Sequence, residues 1–150
     1  MTVAIENLQR DLVGRVLPGT TIVIDRLESH AVDVAARAES VDATYAHPVW
    51  FVILGLRGMG ISVDELGDLA QKSGEDALLF GGVAVDQAEP LRVGDVVRSS
   101  AVIVEVGRSR LKDGGNLDRV VVTTTLRGES DVFFGATTST YLFKRAMVTP

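Results

Sequence analysis

The sequence contains no cysteine, and this absence removes several functions at the outset. Disulfide bonds, thiolate nucleophiles and cysteine-ligated metals are all excluded. The only histidines are His30 and His47, and two isolated histidines without a ligand cluster predict no metal site. Aromatic residues make up only 5% of the chain, so aliphatic side chains must fill most of the core.

The chain also lacks a positive charge excess and a long apolar run. Its formal net charge is −5, which argues against nucleic-acid binding because phosphate contacts need a basic surface. The longest uncharged apolar run, residues 48–56, is too short to span a bilayer. Residues 1–10 have no apolar signal-peptide core, so we expect a cytoplasmic protein.

What is present predicts one α+β domain with a helical first half and a strand-rich second half. The length of 150 residues and the 46% hydrophobic content suit a single domain, and no repeat or linker divides it. Residues 19–26 alternate and predict a strand, whereas residues 39–47 predict a loop. A helical apolar stripe between them comprises Leu27, Ala31, Val34, Ala35 and Ala38.

Residues 49–60 predict a helix that is apolar on nearly every side, which is typical of a helix buried in a core. Each glycine in this segment costs about 1 kcal/mol of helix stability relative to alanine, which suggests that the helix packs closely against a sheet or partner. Ser62 and Glu65 predict a capping box that starts a further helix reaching Lys72. His30, Asp33 and Arg37 are expected on the solvated face of the earlier helix.

The second half predicts four long strands separated by glycine-containing turns. Antiparallel hairpins between consecutive strands are expected, with a bulge at Gly81-Gly82 and a turn at Gly114-Gly115. One sheet would then wrap around one apolar helix. The predicted strands are residues 77–87, 96–106, 117–127 and 132–144.

Three strings of residues carry a resemblance to a known family. Residues 89–95 (EPLRVGD), 112–115 (KDGG) and 46–51 (AHPVWF) resemble MaoC-like enoyl-thioester hydratases and dehydratases, in the fatty-acid-synthase-type dehydratase branch. The resemblance runs from about residue 12 to 145 and implies a hot-dog fold, in which a curved antiparallel sheet wraps a central apolar helix. It also implies a homodimer, or a heterodimer with another hot-dog subunit, and no cofactor beyond the carrier of the thioester.

The family's reaction is the reversible addition of water across a 2-enoyl thioester of coenzyme A or acyl carrier protein. Its catalytic members carry Asp-x-Asn-Pro-x-His, in which the histidine acts as base and the aspartate holds the water. A backbone N–H near the start of the central helix stabilises the thioester oxygen. The family normally places a further stretch of chain between that histidine and the central helix.

Asp42 and His47 have the motif's spacing, so the resemblance implies that they are the catalytic pair. Thr44 and Tyr45 replace the expected Asn and Pro, and His47 directly precedes the helix. Alternatively, His47-Pro48 matches the later His-Gly pair of the family. No catalytic histidine would then remain, and because proline has no N–H, oxyanion stabilisation would pass to the Val49 or Trp50 N–H or be lost. Substrate-binding residues are predicted to be Tyr45, Val49 and Trp50.

Blander roles and other functions stay open. His47 would anchor the helix start by a hydrogen bond, and Asp42 would cap a turn. The chain would then be the non-catalytic partner subunit of a heterodimeric hydratase. A separate alternative is a hot-dog protein repurposed for natural-product biosynthesis that binds a polyketide-like substrate. A hot-dog thioesterase is disfavoured because residues 49–60 contain no carboxylate. Basic side chains that could meet carrier phosphates, or simply be solvated, are Arg92, Arg98, Arg110 and Lys112.

Overall fold

The computed structural model describes residues 3–38 and 43–147. Within those residues, the helices are Ile5–Leu12 (α1), Arg26–Ala35 (α2), Trp50–Arg57 (α3) and Val63–Leu69 (α4). The strands are Val16–Leu17 (β1), Thr21–Val23 (β2), Ala77–Gln87 (β3), Val96–Arg110 (β4), Asn116–Arg127 (β5) and Phe133–Lys144 (β6). The α+β class and all four long strands agree with the sequence predictions.

The strands form one antiparallel sheet in the order β1-β4-β5-β6-β3, with β2 also paired to β4. The turn at Gly114-Gly115 joins β4 to β5, and the β3–β6 ladder shifts register between Phe80 and Gly82, so the predicted turn and bulge are confirmed. The predicted hairpin between β3 and β4 is wrong. β3 pairs instead with β6, the last strand, and occupies an edge of the sheet.

Helix α3 packs against the inner face of the sheet, as its composition predicts. Trp50, Phe51 and Leu54 are each at most 1% exposed. A methyl group at Gly55 would collide with the Thr137 side chain on β6. The glycine therefore gives up helix propensity so that the helix can approach the sheet closely.

Helix α2 buries a different face from the predicted one. Leu27 and Val34 of the apolar stripe are 80% and 64% exposed, whereas Ser29 is buried and Val32 packs against the core. Periodicity identified the helix but not its buried side, and Asp25 caps its start by accepting the Glu28 N–H. The preceding strand is accordingly shorter than predicted. Helix α1 was not predicted.

Helix α4 begins with the predicted capping box. The Ser62 hydroxyl accepts the Glu65 N–H, and the Glu65 carboxylate accepts the Ser62 N–H. The helix ends at Leu69, three residues before the predicted end.

A buried ion network fixes the far end of α4 to the sheet. Asp118 on β5 is fully buried and accepts hydrogen bonds from Arg108 on β4 and from Arg145 after β6. Arg145 also donates to Asp76, at 3.0 Å, and to the Ala70 carbonyl at the end of α4. Burial alone would raise the pKa of Asp76, but two backbone N–H donors and the Arg145 guanidinium outweigh it, so that pKa lies below its usual value.

Candidate functional site

His47 lies where the chain turns into α3, and its ring is already engaged. Its Nδ1 accepts a hydrogen bond from the Val49 N–H at 3.0 Å, and its carbonyl accepts the Trp50 N–H at 2.9 Å. A neutral imidazole has one acceptor nitrogen, so this ring carries its proton on Nε2. In this geometry His47 can donate a hydrogen bond but cannot accept a proton from water. The observed contacts are those of the anchoring role.

The first N–H groups of α3 are likewise occupied. The Val49 and Trp50 N–H groups bond to His47, and the Phe51 N–H donates to the Pro48 carbonyl. None of the three points freely at a substrate oxygen in this arrangement. An oxyanion role for Val49 or Trp50 would require the turn before α3 to open.

Two other residues of the predicted site, Trp50 and Tyr45, lie in different surroundings. Trp50 is fully buried in a cluster with Ile24 and Leu91, and its indole N–H has no hydrogen-bond partner in the described part of the chain. Tyr45 is 42% exposed, and the Arg92 guanidinium stacks on its ring at 5.3 Å. Asp42 lies outside the described residues.

A cavity of about 290 Å³ beside α2 is lined by Arg26, by His30, which is exposed as predicted, and by the half-buried Asp33. Successive turns of α2 place Arg26, His30 and Asp33 on one side of the helix. No hydrogen bond or ion pair engages these three side chains within residues 3–38 and 43–147. The cavity is lined by Arg26, Leu27, Ser29, His30, Asp33, Ala43 and Val93.

A second copy of the motif spacing, at His30, was not recognised from the sequence. Asp25 and His30 have the same spacing as Asp42 and His47, with four residues between them. His30 also lies seventeen positions before His47, which leaves the stretch of chain that the family places before its central helix. Leu27 and Glu28 stand where Asn and Pro are expected, so the motif is again incomplete. Asp25 caps α2 by accepting the Glu28 N–H at 2.9 Å.

The basic residues considered for phosphate binding do not form one patch. Arg98 pairs with Asp131, and Arg92 lines a second cavity, of about 360 Å³, where carboxylates outnumber it. Those carboxylates are Glu89, Asp95 and Glu129. Binding of the phosphates of coenzyme A or of an acyl carrier protein is therefore disfavoured at this second cavity.

Residues 3–38 and 43–147 contain no cluster of acidic or histidine side chains that could hold a metal ion. In the same residues, no helix is long and apolar enough to cross a membrane.

Comparison with known proteins gives fold-level likeness only. No protein-family profile matches the chain, and no curated protein sequence matches it. The HadBC (3R)-hydroxyacyl-ACP dehydratase complex of Mycobacterium tuberculosis is 17% identical, with a TM-score of 0.59 over 88% of this chain and 97% of that one. The MaoC-like dehydratase from Rhodospirillum rubrum is 13% identical, with a TM-score of 0.61 over 94% and 98%.

A third similar structure is a Mycobacterium tuberculosis protein described as having a double hotdog fold. It is 14% identical, with a TM-score of 0.57, and the match covers 95% of this chain and 46% of that one. The antiparallel sheet around α3 and these three likenesses agree with the fold that the sequence resemblance implied. The chain has the hot-dog fold found in MaoC-like dehydratases.

Proposed function

We propose that the chain is an acyl-thioester hydratase or dehydratase of the MaoC-like kind. Its substrate would be a 2-enoyl or 3-hydroxyacyl thioester of coenzyme A or acyl carrier protein. The observation that carries the proposal is the His30 side chain in a cavity beside α2, where no described residue bonds to it, at the spacing from Asp25 that the family motif has. The hydratase and dehydratase neighbours support it at the level of fold.

In the proposed reaction, His30 is the general base. It takes one proton from water as the water oxygen bonds to the β-carbon of the enoyl thioester, and the same proton is then returned to the α-carbon, so that one molecule of water is added across the double bond. Asp25 caps α2 and does not line the cavity, so Asp33, one turn further along the helix and in the same cavity, would hold the water or the imidazole. The thioester oxygen needs a donor other than the first N–H groups of α3, because those are bonded internally.

The Asp42–His47 pair is the competing assignment, and Tyr45, Val49 and Trp50 would then line its pocket. Two matched variants separate the assignments, His30→Gln and His47→Gln, assayed by hydration of crotonyl-coenzyme A. We expect His30→Gln to lose roughly 100-fold or more in kcat and His47→Gln to keep most activity. The reverse result would identify His47 as the general base. Activity unaffected by either variant would remove both from the mechanism.

A specific feature favours a second candidate, the non-catalytic partner subunit. Edge strand β3 is eleven residues long and carries exposed apolar side chains along it, as expected of a surface that another hot-dog subunit covers. These are Leu79, Phe80, Val83 and Val85. The incomplete motif also fits a subunit that completes a partner's pocket, and one neighbour is a two-protein complex.

Sedimentation of the purified chain tests the pairing surface. We expect a homodimer that Phe80→Asp converts to monomer, since Phe80 is 48% exposed in the single chain. A wild-type monomer that also fails to hydrate crotonyl-coenzyme A would favour the partner-subunit role. Val104→Asp on β4, at a similarly exposed position away from β3, is the matched control and should leave the dimer intact.

A further inference from the structure

The cavity beside α2 holds an arginine that forms no ion pair with the described residues. Some surface arginines have carboxylate partners: Arg57 pairs with Glu28, and Arg119 pairs with Glu105. Others, such as Arg37 just beyond α2, have no ion pair within residues 3–38 and 43–147. Arg26 has no such partner among residues 3–38 and 43–147. It nevertheless lines a cavity together with the proposed base, His30.

The charges along this side of α2 are ordered. Arg26 lies at the first turn, His30 one turn later and Asp33 at the turn after that. The cavity therefore has a cation at one end, a carboxylate at the other and the imidazole between them. An anionic group of a ligand would be drawn to the Arg26 end and repelled from the Asp33 end.

We propose that Arg26 binds a carboxylate carried by the acyl group, so that the substrate is a 2-enoyl thioester of a dicarboxylic acid. This inference rests on the proposed function because it takes His30 as the reacting base. Residues four apart on a helix have Cβ atoms about 5–6 Å apart, so an anion held by Arg26 lies within a few bonds of the carbon that His30-activated water attacks. A carboxylate at the end of a four-carbon acyl group meets that requirement.

The phosphates of coenzyme A are the other source of negative charge. They lie at the far end of the pantetheine arm, many bonds from the thioester, and so match the spacing of Arg26 and His30 poorly. A guanidinium binds either anion through paired N–H donors, so the experiment must separate the two sources.

Binding calorimetry on the purified chain tests the inference with four unreactive thioesters. Butyryl and succinyl groups have the same chain length and differ in the terminal carboxylate, and each is joined either to coenzyme A or to N-acetylcysteamine, which has no phosphate. We expect succinyl thioesters to bind more tightly than butyryl thioesters on both carriers. Arg26→Gln should reduce this preference roughly tenfold or more. Arg37→Gln removes the same charge just beyond α2, outside the cavity lining, and should leave the preference unchanged.

Two results would overturn the inference. Equal binding of succinyl and butyryl thioesters would show that Arg26 does not recognise a carboxylate on the acyl group. Weaker binding of both coenzyme A thioesters to Arg26→Gln, with no change for the N-acetylcysteamine compounds, would assign Arg26 to carrier phosphates instead. Hydration of crotonyl-coenzyme A that depends on His30 would uphold the proposed function in either case. Absence of both hydration and thioester binding would reject the function and the inference together.

Discussion

Charged residues in two regions of this molecule are arranged in opposite ways. At one end of the sheet, the fully buried Asp118 pairs with both Arg108 and Arg145. Beside α2, Arg26 and His30 line an open cavity without ion pairs in the described part of the chain. The first region uses charge to hold secondary structure together, whereas the second leaves charge available to a ligand.

The difference follows from solvent access. A buried charge is costly unless it is paired, so the folded chain must satisfy Asp118 internally. A charge at the mouth of a cavity is hydrated in the free protein and can exchange water for substrate. Stability and function should therefore respond separately to substitutions in the two regions.

The largest effect on stability is expected for Asp118→Asn. This change leaves Arg108 without a carboxylate partner and deprives Arg145 of one of its two. Breaking one member of a buried ion network costs about 3–5 kcal/mol in free energy of unfolding. Urea denaturation measures it, and a loss below about 1 kcal/mol would place the network among ordinary surface pairs.

Asp76→Asn in the same network should cost about 1–3 kcal/mol at neutral pH, in line with the loss of charge-assisted hydrogen bonds. Because folding lowers the pKa of Asp76, its stabilisation is present above the unfolded carboxyl's pKa and is lost as pH falls through the folded value. The difference in unfolding free energy between wild type and variant should thus shrink below about pH 4. A difference that stays constant through this range would contradict the lowered pKa.

Glu28→Gln is expected to have a smaller effect. Glu28 and Arg57 form an ion pair between α2 and α3, with half of the Arg57 side chain exposed. Exposed pairs contribute about 0.2–1 kcal/mol and weaken with salt. Thermal unfolding at low and high ionic strength measures this, and the two proteins should converge at high salt.

His30→Gln should have the smallest effect on stability, within about 0.5 kcal/mol, because its ring has no partner in the described structure. The same variant is expected to lose most of its crotonyl-coenzyme A hydratase activity. A large loss of stability would instead give His30 a structural role and undo the contrast between the two regions.

The sequence predicted those parts of the fold that depend on local pattern. Strand β3 matches its predicted bounds, the capping box forms, and Gly55 in α3 packs against the sheet. The pairing of β3 with β6 was missed, because hairpins are local and this pairing spans most of the second half. The burial of α2 was also missed, since periodicity does not say which neighbour covers a helix.

The candidate site was predicted less well than the fold. The motif spacing was recognised at His47 but not at His30, although both strings have it. The bond between the Val49 N–H and the His47 ring depends on how the chain turns into α3, which no spacing rule encodes. Asp42 remains a prediction.

The position of β3 beside β6 has a consequence for synthesis on the ribosome. β3 ends at Gln87, but its neighbour in the sheet begins only at Phe133. At translation rates of about 5–20 residues per second, the apolar strand emerges roughly several seconds before β6 can pair with it. During this interval nascent chains on neighbouring ribosomes present the same unpaired strand to one another, so chaperone supply and translation rate should influence the yield of folded protein.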